Sequence, residues 1–527
     1  MIDTKALRQK ILDLAIRGKL VPQDPDDEPA SVLLERIRQQ KQQMVKEGKL
    51  KLKDIKNDSV IFVGEDNLHY EKFADGSVKC IEDEIPFDLP DGWAWSKIGP
   101  LCEYITSGSR GWAQYYSETG ILFLRMGNLS RDSFELRLDN LQRVNLPDNA
   151  EGTRTRVAEN DLLFSITAEI GMLGLIPANF EEAYINQHVG LIRFLKDAQT
   201  KFFPYILMSE FCRDQYYTVQ CGMKNSFRLD NIQNILAPVP PLGEQIRIAE
   251  KLSNIWTHIQ QIDIESEAAS DIISKAKSKI LDLAIRGQLV PQDPDDEPAS
   301  VLLERIRAEK EELIKQGKLK RDKKESVIFR GEDNSYYLRT GELVESLEDW
   351  DFEELPDGWS VCCLGELCDY GNCTNIDTAD IADSAWILDL EDIEKDSGIV
   401  LQKVRQGERN AGSTKHRFHK GQVLYSKLRP YLNKVVLADE DGYCTSEILP
   451  LEFERNILPQ YARYFLMSPA FLRYANKCSY GVKMPRLGTA DGKKAIISVP
   501  PVKEQKRIIM AIELAFAQLA SIAENLA

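Results

Sequence analysis

Between Gly243 and Gly287, apolar side chains fall at Ile248, Leu252, Ile255, Ile259, Ile262, Ala269, Ile273, Ala276, Ile280 and Leu283, with Ser266 filling the one polar gap. Steps of four and three alternate without a break, the seam of a coiled coil, and predict one long helix. Gly287 follows Arg286 where a left-handed C-cap belongs, and Leu289 is placed for the accompanying apolar contact. Pro298 suits the first turn of a second helix, ASVLLERIRAEKEELIKQG, that stops near Gly317. The seam returns near the C-terminus at Ile508, Ile512, Ala515, Leu519, Ile522 and Leu526, and its missing second half lies at the other end of the chain, at Leu7, Ile11 and Leu14. Joined end to end, 503–527 and 3–18 rebuild a copy of the central helix. Two long antiparallel helical spacers in a cyclic pseudo-twofold are therefore expected, one continuous and one split between the termini.

The seam belongs to a duplication. Residues 10–38, KILDLAIRGKLVPQDPDDEPASVLLERIR, recur at 279–307 with only Lys19 changed, to Gln288. The echo continues in order: DSVIFVGEDN (58–67) with ESVIFRGEDN (325–334), LPDGW at 89–93 and 355–359, and VPPLGEQIRIAEKL (239–252) with VPPVKEQKRIIMAI (499–512). Such a period is far longer than the ~20 to 50 residues of a solenoid repeat. Between the copies lie unlike inserts that read as α/β, with β-rich runs such as ILFLRM (121–126), DLLFSI (161–166), VGLIRF (189–194), QVLYSK (422–427) and KVVLA (434–438). Each insert ends in one expected helix, KFFPYILMSEFCRDQYY or LPQYARYFLMSPAFLRYA, sharing LMS at 207–209 and 466–468. The expected order is a helical region over 1–79, an α/β domain over 80–242, a central region with the spacer helix over 243–344, a second α/β domain over 345–502, and a terminal helix over 503–527.

Composition narrows the function classes. With 43% hydrophobic residues the chain can bury sizeable cores. No apolar run approaches the ~18 residues of a membrane span, and MIDTKALRQK has no signal-peptide core, so a cytoplasmic protein without membrane contact is expected. The cysteine cluster CCLGELCDYGNC (Cys362, Cys363, Cys368, Cys373) lacks the paired spacing of a zinc site and reads as reduced structural thiols. His416 and His419 have ligand-like spacing but no second pair, and an exposed polar loop is expected there. There is no GxxxxGK[ST], GxSxG or HExxH, and no [DN]PP[YF] of the kind that holds a flipped base for amino-methylation. Asp161, Glu169 and Glu447 are carboxylates scattered among 83 acidic residues, with no spacing that marks catalysis.

The ordered set LPDGW, a variable insert, VPPxxEQxRI, and a heptad helix ending ILDLAIRGxLVPQDPxDEPAS, followed by a second round, resembles the specificity subunit of a type I restriction-modification enzyme. HKGQVLYSKLRPYLNKVVLADEDGYCTSEILPL at 419–451 resembles that family's target-recognition domain. The resemblance implies two target-recognition domains, each binding one half of an interrupted site in double-stranded DNA. It further implies no catalysis and no cofactor in this chain. Methyltransferase subunits, expected as two, would bind S-adenosylmethionine, and a restriction subunit would use ATP and Mg. The helical frame is the expected docking surface, with Ile248, Leu252, Ile255, Ile259, Ile262, Ile273, Ile280, Ile508, Ile512 and Leu519 as spacer or partner-binding positions. A helix over 243–287, ~68 Å at 1.5 Å per residue, would act as a ruler between half-sites.

Charge refines where DNA would bind. A formal net charge of -16 argues against a uniformly DNA-coating protein. Residues 403–436 nevertheless hold Lys403, Arg405, Arg409, Lys415, Arg417, Lys420, Lys427, Arg429 and Lys434 against the single acid Glu408. With Tyr425, Tyr431 and Asn433 interleaved, this basic island yields Lys415, Lys427, Arg429, Tyr431 and Lys434 as DNA-binding candidates, joined by Lys483 and Arg486. Arg429 and Arg486 are the first choices for a guanine edge. In the first insert, TSGSRGW, RMGN and GMKNSFR combine glycine loops with polar side chains and yield Arg110, Asn128, Lys224 and Asn225. Two other classes compete: a coiled-coil scaffold without DNA reading, which leaves the basic island unexplained, and a self-contained DNA-modifying enzyme, disfavoured by the absent motifs.

Overall fold

A computed structural model describes residues 3–147, 153–218, 227–318, 326–331, 335–347, 355–409 and 412–525. The chain divides into two compact units, residues 2–265 and 266–527.

The N-terminal unit contains α1 (Thr4–Ile16), α2 (Ala30–Lys46) and the first half of α3 (Leu242–Ile285). α1 lies antiparallel on α3: Arg8 pairs with Asp263 at 2.7 Å, and Arg247 at the other end of this half grips Asp27 at 2.6 Å. The predicted seam positions are the covered ones, with Ile248, Leu252 and Ile259 buried and Ile255 and Ile262 half-buried. Ile248 and Leu252 join the unit's own core with Leu162, Phe164, Phe202 and Ile206.

The near-identical block is explained by one junction. α1 stops at Gly18, whose φ of +64° is the left-handed conformation of a helix C-cap, and Lys19 N–H reaches back to the Leu14 carbonyl at 2.8 Å. A Cβ on Gly18 would sit 2.5 Å from Pro90 Cγ. The same LPDGW segment sends the Trp93 indole N–H to Glu244 (2.9 Å) and offers the Gly92 carbonyl to Ala30 N–H (2.8 Å). Gln245 donates to the Pro240 carbonyl and accepts from Thr200, both at 2.9 Å. Four motifs far apart in sequence are thus held by mutual burial, and changing one leaves the others with unfilled space or unpaired polar groups.

The expectation of a helical region over 1–79 holds for α1 and α2 and is corrected beyond them. Ser59–Val63, His69–Phe73 and Val78–Cys80 form a three-stranded antiparallel sheet. The β-branched run SVIFV and a GEDN turn, with Asn67 at φ +62°, favour a hairpin over another helical turn.

In the α/β part, Leu162–Ser165 lies between Leu173–Leu175 and Val189–Phe194, all antiparallel, with Cys102–Ser107 at the edge. A second sheet carries the parallel pair Ala183–Ile185 with Ile121–Leu124. The expected late helix is two, Phe202–Leu207 and Glu210–Thr218, because Ser209 at the shared LMS leaves the helix and its hydroxyl accepts from Cys212 N–H at 3.3 Å.

The C-terminal unit repeats this plan with the second half of α3, α4 (Ala299–Lys315) and α5 (Val502–Asn525). Pro298 is the N-cap of α4, one residue before the expected first turn. Gly287 (φ +68°) lies under Pro356, Trp359 donates to Glu504 at 3.1 Å, and Arg507 pairs with Asp296 at 2.7 Å. α5 runs antiparallel to α3, with Ser498 Oγ on the Ile285 carbonyl and Lys277 Nζ 5.5 Å from the Phe516 ring centre. By length and composition α5 is long and apolar enough to cross a membrane, an 18-residue window of it reaching a mean hydropathy of 1.4, although Glu513 and Gln518 interrupt its apolar run. Its apolar stripe packs: Ile508 and Ile512 lie in the unit's core, and Leu519 is half-buried.

Val423–Ser426 lies between Val435–Leu437 and Ile448–Leu451, and Gly442–Thr445 pairs in parallel with Trp386–Leu388, matching the three inner strands and the parallel pair of the first unit, while the other strands of the two sheets differ in number. Ser468 N-caps the second of two late helices, as its LMS counterpart does. Ser326–Arg330, Tyr336–Thr340 and Leu343–Ser346 form the second small sheet. Cys362, Cys363 and Cys368 are buried free thiols, and burial pushes that of Cys363 up to about 12. Among the described residues no group of three or more His, Cys, Asp and Glu side chains is placed to hold a metal ion.

Candidate nucleic-acid interface

Each unit raises a polar ledge at the same place in its sheet. In the C-terminal unit the chain leaves the strand Val423–Ser426 and makes a 3₁₀ turn, Pro430–Leu432, flanked by two left-handed residues, Arg429 and Asn433, both at φ +50°. Ser426 Oγ braces the turn by donating to the Leu428 carbonyl at 2.9 Å. A second turn, Ser446–Glu447, lies beside it, with Lys427 N–H on the Glu447 carbonyl at 3.0 Å. The segment 480–487 closes the ledge: Arg429 N–H donates to the Pro485 carbonyl (2.7 Å), Leu487 N–H to the Lys427 carbonyl (3.0 Å), and Tyr480 and Arg486 pair backbone to backbone.

The N-terminal unit builds the same ledge from other residues. Ser165 Oγ donates to the Glu169 carbonyl inside the turn, Ala168 is left-handed at φ +58°, and Ile166 N–H donates to the His188 carbonyl at 3.0 Å. Phe227 N–H donates to the Ile166 carbonyl at 2.9 Å, as Leu487 does to Lys427. The equivalences are therefore Ser165 with Ser426, Ile166 with Lys427, Ala168 with Arg429 and His188 with Glu447. Two backbone hydrogen bonds and a left-handed residue are kept at matching places, the 3₁₀ turn Pro430–Leu432 has no counterpart over 166–172, and the side chains differ.

Arg110 is exposed on the adjoining loop, and Gly108 brings that loop in because any Cβ there would lie 2.1 Å from the Ile185 and Asn186 carbonyl oxygens. Gln187 Nε2 and Thr167 Oγ1 meet the two ring nitrogens of His188, Nε2 at 3.1 Å and Nδ1 at 2.9 Å. Thr167, Gln187, His188 and Arg110 thus share one surface. Lys224 and Asn225 lie outside the described residues.

Asn128 is no part of that surface. It is buried, and its amide is committed to Arg125 N–H and the carbonyls of Arg137 and Asn140, so it shapes the RMGN turn from within. Asp161 is likewise buried against Arg193 at 2.6 Å.

The expected basic island is neutralised in part. Lys403 pairs with Asp439 (2.7 Å), Arg405 with Glu440 (3.0 Å) and Arg409 with the buried Asp392. Lys415 is buried with its ammonium on Asp389 at 2.8 Å, which removes it from the DNA-binding candidates. Lys434 donates to the Leu390 carbonyl at 2.7 Å, and burial lowers its pKa. His416 sits in the strand Lys415–Phe418, buried with Nδ1 on the Ile448 carbonyl, rather than in an exposed loop, and burial lowers its pKa. His419 is exposed beside Asp441. The acids that pair with the island stand at 389–392 and 439–441, outside the window in which the sequence looked basic.

Of the island, Arg417, Lys420, Lys427 and Arg429 enter no ion pair among the described residues, and the last two stand on the ledge. Lys427, Arg429 and Lys483 have no polar side-chain partner among the described residues, Arg429 and Lys483 are exposed, and Tyr431, Tyr480 and Val482 stand open on the ledge. Arg486 is on it too, with Nε and Nη2 on Glu447 (3.0 and 2.7 Å) and Nη1 on the Met484 carbonyl (3.1 Å). Residue-type reasoning missed Thr167, Gln187, His188, Glu447 and Tyr480 as ledge residues. Aligning AYINQHVGL with GYCTSEILP on their tyrosines, Tyr184 and Tyr443, would have found His188 and Glu447.

Of the seam positions offered as spacer or partner contacts, Ile248, Leu252, Ile259, Ile508 and Ile512 are buried within their own units and offer no side chain to a partner. Ile255, Ile262, Ile273, Ile280 and Leu519 are half-buried.

Residues 90–269 and 356–524 match the family model described as a type I restriction modification DNA specificity domain. The specificity subunit of the type I restriction enzyme EcoAI of Escherichia coli is 30% identical over 424 residues, covering 70% of this chain and 63% of that protein. The EcoEI specificity subunit of the same species is 26% identical over 406 residues, covering 69% and 61%. The alignments thus span less than two thirds of the length of these relatives. A chain from a solved type I R-M system superposes with a TM-score of 0.50 at 15% identity, covering 84% of this chain and 94% of that one, and shows the same fold. With two matched segments, one in each unit and each carrying a ledge, the chain belongs to the type I restriction modification DNA specificity domain family.

Proposed function

We propose that this chain is the DNA-recognition subunit of a type I restriction-modification enzyme and that each unit reads one half of an interrupted site. The observation that carries the reading is the ledge: the same two backbone hydrogen bonds and a left-handed residue recur in both units, with Ala168 and His188 in one replaced by Arg429 and Glu447 in the other. The shared backbone contacts favour a common mode of approach to duplex DNA, and side-chain divergence makes the two half-sites different. The site is therefore asymmetric. Arg110, Lys427, Arg429 and Lys483 contact phosphates and set the register, while polar groups of the turns meet base edges and DNA shape adds the rest.

The chain performs no chemistry itself in this reading. Two methyltransferase subunits supply S-adenosylmethionine-dependent adenine methylation, a restriction subunit supplies ATP- and Mg-dependent cleavage, and the assembly works in the cytoplasm. The test is to express the chain with its methyltransferase and map modified adenines across the host genome. A new bipartite, interrupted, asymmetric motif is the expected result. An active complex that marks no new motif overturns the proposal.

A further inference from the structure

The guanidinium of Arg486 is held in a way that no other arginine on the ledge shares. Glu447 takes its Nε and Nη2, and the Met484 carbonyl takes Nη1 at 3.1 Å. A guanidinium has five N–H donors, so three are committed here and one remains on each terminal nitrogen. Two donors on adjacent terminal nitrogens are what a bidentate contact to guanine O6 and N7 requires.

Loop stability does not account for the pair. Arg486 already has its backbone fixed by pairing with Leu428 and Tyr480, so the half-buried ion pair acts on the side chain and not on the loop. Glu447 stands where His188 stands in the other unit, at a position whose carbonyl is used identically and whose side chain differs. Arg429, by contrast, is exposed and unheld, so binding a base edge would cost it the ordering of a long side chain that Arg486 has already undergone.

Resting on the proposed DNA-recognition role, we propose that Arg486 reads one guanine in the half-site bound by the C-terminal unit, that Glu447 is its positioning residue, and that Arg429 contacts phosphate. Glu447 keeps the guanidinium plane fixed and its outer edge open, so the base pair is chosen by geometry as well as by charge.

The experiment uses the full chain assembled with its methyltransferase. Binding is measured at fixed salt to duplexes carrying the mapped site and every single base-pair substitution in it. Arg486→Lys keeps the charge and the Glu447 ion pair but loses the planar fork, and is expected to reduce discrimination at one G·C position by roughly ten- to hundredfold, with other positions and the other half-site unchanged. Glu447→Gln is expected to weaken discrimination at that same position. Arg429→Ala is expected to lower affinity equally for all sequences. Should Glu447→Gln fail to fold, Arg486→Lys alone decides. Uniform loss of affinity in Arg486→Lys, unchanged discrimination, or a mapped half-site without G·C overturns the inference while leaving the broader reading intact. A parent complex with no sequence preference overturns both.

Discussion

Trp93 donates its indole N–H to the Glu244 carboxylate at 2.9 Å, and the pair locks LPDGW to the start of α3. Trp359 and Glu504 repeat the bond at 3.1 Å in the C-terminal unit. Both carboxylates are buried, and burial raises their pKa above the usual glutamate value.

A pH dependence follows. A carboxyl whose folded pKa is raised binds more protons in the native state, so its contribution to stability falls as pH rises from the ordinary glutamate value through the raised one. Glu244→Gln keeps an acceptor for the indole and removes the buried charge. Its thermal unfolding temperature should fall less than the parent's between mildly acidic and neutral pH. Glu244→Ala strands the indole N–H and should cost about 1–3 kcal/mol at any pH. A glutamine variant whose deficit grows as pH rises would contradict the account.

Gly18→Ala tests the junction from its other side. The left-handed backbone costs alanine about 1 kcal/mol, and its methyl would fall 2.5 Å from Pro90 Cγ, adding roughly 1–3 kcal/mol of overpacking. Gly48, at φ +74° with nothing within 4 Å, is the control and should show the backbone cost alone. Denaturant midpoints of the two variants separate the effects, and equal losses would mean that Pro90 gives way.

Much of this was legible in the chain. The four-three spacing picked out the seam of α3 and α5, and the duplicated motifs converge on matching junctions because those residues touch one another. Three features escaped for physical reasons. SVIFV was absorbed into a helical frame although its hairpin turn is encoded in GEDN. LMS continues the helical pattern, although its serine is an N-cap. The basic island looked unpaired because Asp389, Asp392 and Asp439 reach it only through the fold. The ledge was half visible, since arginines announce themselves and a turn residue such as His188 or Glu447 gains meaning only from what its backbone touches.

Asn128 and Arg110 are both polar residues of glycine loops, yet one is buried and the other exposed. Asn128→Ala removes an acceptor from Arg125 N–H and a donor from two carbonyls in a buried turn, and should destabilise by about 1–3 kcal/mol. Its surviving folded fraction should keep the parent's sequence preference. Arg110→Ala should unfold within ~0.5 kcal/mol of the parent and bind DNA more weakly with a salt slope smaller by about 1. Calorimetry and salt-dependent binding on the same preparations give both readings.

Arg409 and Lys483 make the same comparison in the C-terminal unit. Asp392 is fully buried, and although burial pushes its carboxyl up, hydrogen bonds from Arg409, Asp389 N–H and Gln402 hold it below the usual aspartate value. A lowered folded pKa means stability that is present above the ordinary aspartate value and lost as pH falls through the folded one. Arg409→Ala leaves that carboxylate buried without its cation, so the loss should be roughly 3–5 kcal/mol at neutral pH and should shrink on acidification as Asp392 takes up a proton. The salt slope of DNA binding should not move, because the Arg409 charge is already spent on Asp392. Lys483→Ala should do the reverse: unchanged unfolding, and a salt slope lower by about 1. If Arg409→Ala were as stable as the parent and shifted the salt slope instead, the island would be a DNA surface after all and the neutralisation seen here would be incidental to binding.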